Sequence, residues 1–175
     1  MRKSWKDKLA DDKNLPRVFQ VPGEMARRFG AGMMVIPAPR EVDALMKRVP
    51  KGRVVTINEL RSAVASRHQA DMACPITTGI FSWIAAHAAA EASSLGSKRI
   101  TPYWRTLKNG GEVNPKYPGG LEEVSKRLRA ECHEIEKRGK RAYVVDFTNV
   151  LVSGKRLLGA SGSSRKPMPR SGKRA

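Results

Sequence analysis

Few side chains in this chain can do covalent chemistry: two cysteines and three histidines among 175 residues. A free thiol is mostly protonated at neutral pH and needs a neighbour or a helix terminus to become a nucleophile. Cys74 has such a place, directly before Pro75 at the expected start of a helix, where the helix dipole favours thiolate. Cys132 follows Glu131 at a helix end and reads as a small packed hydrophobe. His68, His87 and His133 are scattered, and there is no CxxC pair, so the spacing offers no metal centre. The other notable run is Pro102-Tyr103-Trp104-Arg105. Its aromatic pair can stack on an unpaired base or fill a pocket of the fold.

Charge points to the partner. Lys and Arg total 34 against 16 Asp and Glu, a net +18. A polyanion, DNA or RNA before a membrane surface, is the expected ligand. Residues 153–175 carry 7 basic and no acidic side chains among Ser, Gly and Pro. This stretch is expected to be disordered, because it has little apolar surface to offset ordering. It would bind phosphates without reading sequence, or serve only solubility. There is no apolar run of transmembrane length and no signal-like apolar core at the N-terminus. Two cysteines are too few for a disulfide framework. The chain reads as cytoplasmic, or nucleoid-associated in a bacterium.

The elements that must position these residues emerge from pattern. Residues 4–12 suit a short helix, and Pro16, Pro22 and Gly23 interrupt the chain beyond it. Met33 to Ile36 suits a strand, stopped by Pro37 and Pro39. Val42, Leu45, Met46 and Val49 have helical spacing within 40–49, closed by Pro50 and Gly52. After an extended Arg53–Thr56, Thr56 and Glu59 form a capping-box pattern for a helix over 57–66. A polar turn over 67–71 leads to a second helix beginning at Pro75. In it Ile76, Ile80, Trp83, Ile84 and His87 share one face, expected to be core. The opposite face is small: Thr77, Thr78, Ser82, Ala85 and Ala89. A further helix is expected over 121–131. Residues 133–137 and 141–147 flank Arg138-Gly139-Lys140 as a hairpin. The order suggests a helix-turn-helix with a wing, although any helical hairpin shares the pattern.

Four segments in fixed order carry a resemblance: VPKGRVVTINEL (49–60), CPITTGIFSWIA (74–85), ITPYWRTLKNGGEV (100–113) and KYPGGLEEVSKRLRAE (116–131). Together they resemble the DNA-binding domain of the alkylguanine-DNA alkyltransferases, the methylated-DNA-protein-cysteine methyltransferases, over about residues 40–135. The resemblance implies an α+β winged helix-turn-helix over 40–152 ending in the β-hairpin. Residues 1–39 would be an N-terminal extension and 153–175 a basic tail. It also implies a recognition helix in the minor groove, which only small outward residues can enter. Thr77, Thr78, Gly79, Ser82 and Ala85 fit that demand.

The departures from the family decide the activity. Its members flip a damaged guanine out of the duplex and move the alkyl group to a cysteine activated by histidine. At the matching Pro-Cys-His-Arg positions stand Pro102, Tyr103, Trp104 and Arg105. A phenol with a pKa near 10 is a poor substitute for a thiolate. Arg105 is expected to brace the loop, with phosphate contact as its alternative role, and Glu131 to form an ion pair in place of the family's Cys-His-Glu network. Tyr117, Pro118 and Gly119 match the loop that lines the base pocket, completed by Tyr103 and Trp104. Ile57 replaces a tyrosine that rotates the phosphate, and Ile76 replaces the arginine finger. The stretch from Gly79 to Pro102 is about ten residues longer than usual, ending in EASSLGSKRI. The expectation is a non-catalytic, monomeric protein without metal or cofactor. Its partner would be double-stranded DNA, plain or alkylated, and the resemblance also allows a repair protein. Two other readings stay open: a transferase using Cys74 or another unrecognised nucleophile, and a protein-interaction module.

Overall fold

The computed structural model describes residues 3–159. Helix α1 spans Trp5–Ala10 and starts at Ser4, whose hydroxyl accepts from the Asp7 amide while the Asp7 carboxylate accepts from the Ser4 amide. Strand β1 is Arg17–Gln20, α2 is Gly23–Phe29 and β2 is Met33–Ile36. Helix α3 spans Pro39–Lys47 and buries Val42, Leu45 and Met46 at the expected spacing. Strand β3 (Val55–Thr56) leads into α4 (Ile57–Arg67), where the Thr56 hydroxyl accepts from the Glu59 amide. Strand β4 (Met72–Ala73) precedes α5 (Pro75–Ser94). Then come β5 (Thr106–Leu107), α6 (Gly120–Ala130), the hairpin β6 (Ile135–Arg138) and β7 (Arg141–Val144), and α7 (Gly154–Leu158).

The class is α+β. One sheet has the order β1-β2-β4, with β1 antiparallel to β2 and β2 parallel to β4. Strand β3 pairs in parallel with β5, bringing Val55 opposite Thr106. In the β6–β7 hairpin, Gly139 takes the positive φ of 60° that the first position of a two-residue primed turn can require. Helices α3, α4, α5 and α6 enclose a core that includes Leu45, Met46, Leu60, Val64, Val124 and Leu128.

Helix α5 is long because its second half is alanine-rich, the best helix-forming composition. Gly96, at φ 92°, ends it; the amides of Gly96 and Ser97 donate to the carbonyls of Ser93 and Ala92, a Schellman arrangement. The alanine-rich second half lies between Gly79 and Pro102 in the chain. It is where α1 docks: the amides of Trp5 and Lys6 donate to the Glu91 carboxylate at 3.3 and 2.9 Å. Trp5 stacks on His87 at 4.4 Å.

Part of the N-terminal extension joins the core, and one segment expectation is corrected. Residues before position 40 share the main core: Val35 is buried within it and β2 pairs with β4. Met34 and Val35 are both buried in β2, which ties part of the N-terminal extension to the core. Likewise 153–159 is ordered rather than disordered. Leu157 is only 1% exposed, and the Gly154 amide donates to the Glu59 carboxylate at 2.6 Å. The Leu157-Leu158 pair provides the apolar anchor that the basic composition hides. The rest of the expected tail, 160–175, lies outside the described residues, as do residues 1 and 2. Among the described residues no helix is long and apolar enough to cross a membrane. No group of three or more His, Cys, Asp or Glu there is placed to hold a metal ion.

Candidate nucleic-acid interface

The Pro102–Arg105 loop closes as a single 3-10 turn over Tyr103–Arg105. Tyr103 is 2% exposed and lies edge-on to Trp104 and Tyr117, at 5.4 and 5.9 Å between ring centroids. Its hydroxyl reaches the Pro118 carbonyl only at 3.5 Å. Burial raises the Tyr103 phenol above its usual 10, against the pull of the Arg127 charge. The ring therefore fills space as a neutral phenol. Arg127 lies over the Trp104 ring, 4.8 Å from its centroid.

Arg105 and Glu131 form a braced, poorly exposed ion pair with a closest approach of 2.7 Å. The Trp104 indole N–H and the Gly52 amide donate to the same carboxylate. A further Arg105 N–H donates to the Val49 carbonyl at 2.7 Å. These bonds tie the aromatic loop to the α3–β3 connection and to the end of α6. Glu131 is a structural acceptor, and the Arg105 guanidinium is committed to it and to the Val49 carbonyl, the bracing role expected of it. His133 is buried nearby, with Nε2 unpartnered among the described residues.

Helix α5 sits the other way round from the expectation. Thr78, Ser82, Ala85 and Ala89 are buried, while Ile76 and Ile80 are 50% and 45% exposed. Small side chains let α5 approach α3 closely, so the small face is the core face. The Thr78 and Ser82 hydroxyls are satisfied inside the helix, on the carbonyls of Cys74 and Gly79. The expectation that Thr78, Ser82 and Ala85 point outward is therefore corrected: all three are turned to the core, Ser82 at the base of the cleft. Thr77 and Gly79 are half-buried, and a Cβ added at Gly79 would meet nothing within 4 Å.

The displaced large side chains wall a cleft of about 870 Å³. Ile76, Gly79, Ile80, Trp83 and His87 form one side; Ile57, Leu107 and the 114–117 loop form the other. The loop is fastened by the Trp83 indole, which donates to the Lys116 carbonyl at 3.1 Å. Tyr117 is buried at the base, its phenol pushed up to about 12 by burial against hydrogen bonds with Ser82 and Asn114. Lys108 and Lys116 stand at the cleft and no carboxylate lines it. Lys108 is paired with Glu112 at 2.6 Å, whereas Lys116 is in no ion pair among the described residues.

The expected site thus splits in two. Tyr103, Trp104, Arg105 and Glu131 cluster on one side of Tyr117, and the open cleft lies on the other. Pro118 and Gly119 lead out of the loop; Gly119 is left-handed at φ 80° and caps α6. Cys74 is the half-buried N-cap residue of α5, and Cys132 is exposed. Asn114, Pro115 and Lys116 are site residues that the sequence does not announce, since they lie in a loop without periodicity. The signal for the cleft wall is present in the Ile76, Ile80, Trp83 and His87 stripe.

No protein-family model matches the chain. No curated protein matches it either. Among solved structures, it is similar to S. pombe Atl1 in complex with damaged DNA containing O6-carboxymethylguanine, at 17% identity and a TM-score of 0.47, covering 66% of this chain and 94% of that one. Likeness at that level assigns neither family nor function.

Proposed function

We propose that this chain is a non-catalytic DNA-binding protein that presents the first half of α5 and its flanking cleft to the minor groove of a duplex. The observation that carries the reading is the cleft itself. Its walls are apolar, Lys116 stands at it without an ion-pair partner among the described residues while Lys108 is paired with Glu112, and it lies on a chain of net +18. An apolar surface edged with cations suits bases flanked by phosphates. Helices α4 and α5 and the β6–β7 hairpin are read as the helix-turn-helix and wing of a domain over 40–152. Ile76, Thr77, Gly79 and Ile80 would face DNA. The resemblance over about residues 40–135 supports a role near alkylation damage, read here without transfer. Tyr103 holds the nucleophile position as a buried neutral phenol, Trp104 replaces the histidine, and Glu131 is committed to Arg105.

The test is duplex affinity against salt, with plain DNA and a matched duplex carrying an O6-alkylguanine. Each neutralised phosphate adds about 0.9 to the slope of log affinity on log salt. A slope of several, with no mass gain on the protein from the alkylated duplex, is the expected result. Salt-insensitive or absent binding would overturn the reading, and a permanent mass gain would restore the transferase.

A further inference from the structure

Strand β1 forms one edge of the sheet ordered β1-β2-β4. The Val21 amide donates to the Gly32 carbonyl and Arg17 stands opposite Ile36, so residues 17, 19 and 21 turn their backbone groups to β2. The N–H and C=O groups of Val18 and Gln20 point away from the sheet, and among the described residues nothing pairs with them. Native sheets normally cover or blunt such an edge. Pro16 and Pro22 limit this one to four residues but leave it open. Its two faces differ. Val18 is 40% exposed and shares a face with its diagonal neighbour Met33, 36% exposed. Arg17 and Phe19 are on the other face, the guanidinium 5.5 Å from the ring centroid. Helix α2, which connects β1 to β2, buries none of its residues and adds Arg27 and Arg28. None of these three arginines is in an ion pair among the described residues, and Glu24 is the one carboxylate between positions 17 and 36.

We infer that the open edge of β1 is a docking site for a short extended segment of a partner protein in which apolar and acidic residues alternate. The segment becomes a strand beside β1 and exchanges backbone hydrogen bonds with Val18 and Gln20. Side chains alternate across a strand, so its apolar residues lie beside Val18 and its carboxylates beside Arg17. Charge decides between this occupant and a second copy, which would bring a chain of net +18 against its like. A phosphate backbone can meet the arginines and the amides, but it has no donor for the outward carbonyls of Val18 and Gln20 and no apolar partner for Val18. The site stands apart from the DNA-binding reading and does not rest on it.

The experiment uses the full chain and three fluorescein-labelled hexapeptides. One alternates valine and glutamate, and one alternates valine and lysine. The third is the valine–glutamate peptide N-methylated on its valines, the amides that would face β1. Anisotropy should show the unmethylated valine–glutamate peptide binding about ten-fold more tightly than either of the others. Its binding should also slow hydrogen exchange at the Val18 and Gln20 amides. Gln20→Pro removes an outward N–H and no bond to β2, and should weaken this peptide by about three- to ten-fold. Arg17→Glu, at an exposed position, should shift the preference toward the lysine peptide by about five-fold and serves if the proline variant does not fold. Equal binding of the two glutamate peptides would mean attraction by overall charge alone and overturns the site. Absence of binding at about 1 mM peptide overturns it as well. Protection of the same two amides by duplex DNA would give the edge to nucleic acid, and self-association lost in Gln20→Pro would give it to a second copy. Either result makes the peptide site wrong, and none of these failures touches the salt-dependent duplex binding tested above.

Discussion

The guanidinium of Arg105 grips the carboxylate of Glu131 through three hydrogen bonds of 2.7, 2.9 and 3.1 Å. Both side chains are largely shielded, so removing one leaves the other charged and poorly hydrated. Arg105→Ala or Glu131→Ala should therefore cost about 3–5 kcal/mol in urea unfolding. If either changed stability by only a few tenths, the pair would be a surface contact and the bracing role wrong.

Acid should unfold the protein in two stages. Burial alone would raise Glu131, but hydrogen bonds from Arg105, Trp104 and the Gly52 amide outweigh it and hold the carboxyl below its usual 4.5. Its contribution is present above that unfolded value and is lost as pH falls through the lower folded one. His133 acts earlier. Burial lowers its imidazole below the usual 6.5, with the Glu131 charge opposing and the Arg105 charge assisting. His87 is lowered in the same direction, first by burial. The unfolded chain thus takes up these protons before the folded one, and stability declines as pH drops from 6.5. Urea midpoints measured from pH 7.5 to 3 should show both stages, and His133→Gln should shrink only the first.

Tyr103 should behave as packing. Its hydroxyl makes only the 3.5 Å approach to Pro118, so Tyr103→Phe should shift stability by less than about 1 kcal/mol. Tyr103→Ala empties a site between two aromatic rings and should cost about 3–5 kcal/mol. Tyr103→Cys should not create an alkyltransferase, because the neighbouring Trp104 is an N–H donor that cannot take the thiol proton and Glu131 is occupied by it and by Arg105. Intact mass after incubation with alkylated DNA decides the last point.

The C-terminal helix should be as costly to disturb as the core it touches. A Cβ at Gly154 would sit 2.6 Å from the Glu59 carbonyl oxygen and 2.9 Å from the Ala63 nitrogen. Both are backbone atoms that cannot swing away, so Gly154→Ala should cost about 1–3 kcal/mol. Leu157→Ala removes a fully buried side chain and should cost about 2–5 kcal/mol. Thermal melts of the two variants test whether α7 is docked in solution.

Much of the architecture is legible because local rules agree with the fold. The Val42, Leu45, Met46 and Val49 spacing marks α3 to within two residues at each end, and Thr56 caps α4 as the sequence indicates. Glu59 follows only half of its pattern, since its carboxylate receives Gly154 instead of closing a capping box. Strand β1 and helix α2 are not legible: the prolines at 16 and 22 flank these short elements rather than break up the whole stretch. The site is less legible still. Side-chain size is a poor sign of burial on α5, because close packing favours Ala85, Ala86 and Thr78 as the core face and leaves Ile76 and Ile80 outside. The bracing of Arg105 can be read from the resemblance, while its partners Trp104 and Gly52 emerge only once distant segments meet.

The inverted helix offers its own test, because its two faces should fail in different ways. Ala85 is fully buried, so Ala85→Leu should overpack the core and cost about 1–3 kcal/mol. Among molecules that remain folded, the salt slope of duplex binding should not change, since this face packs against the core. Lys116 stands at the cleft without an ion-pair partner among the described residues. Lys116→Ala should leave the melting temperature within error and lower the slope of log affinity on log salt by about 1. The two measurements together separate a core face from a binding face without any knowledge of the preferred sequence. If Ala85→Leu changed the slope and Lys116→Ala did not, the helix would be docking through its small face and the orientation described above would be wrong for the complex.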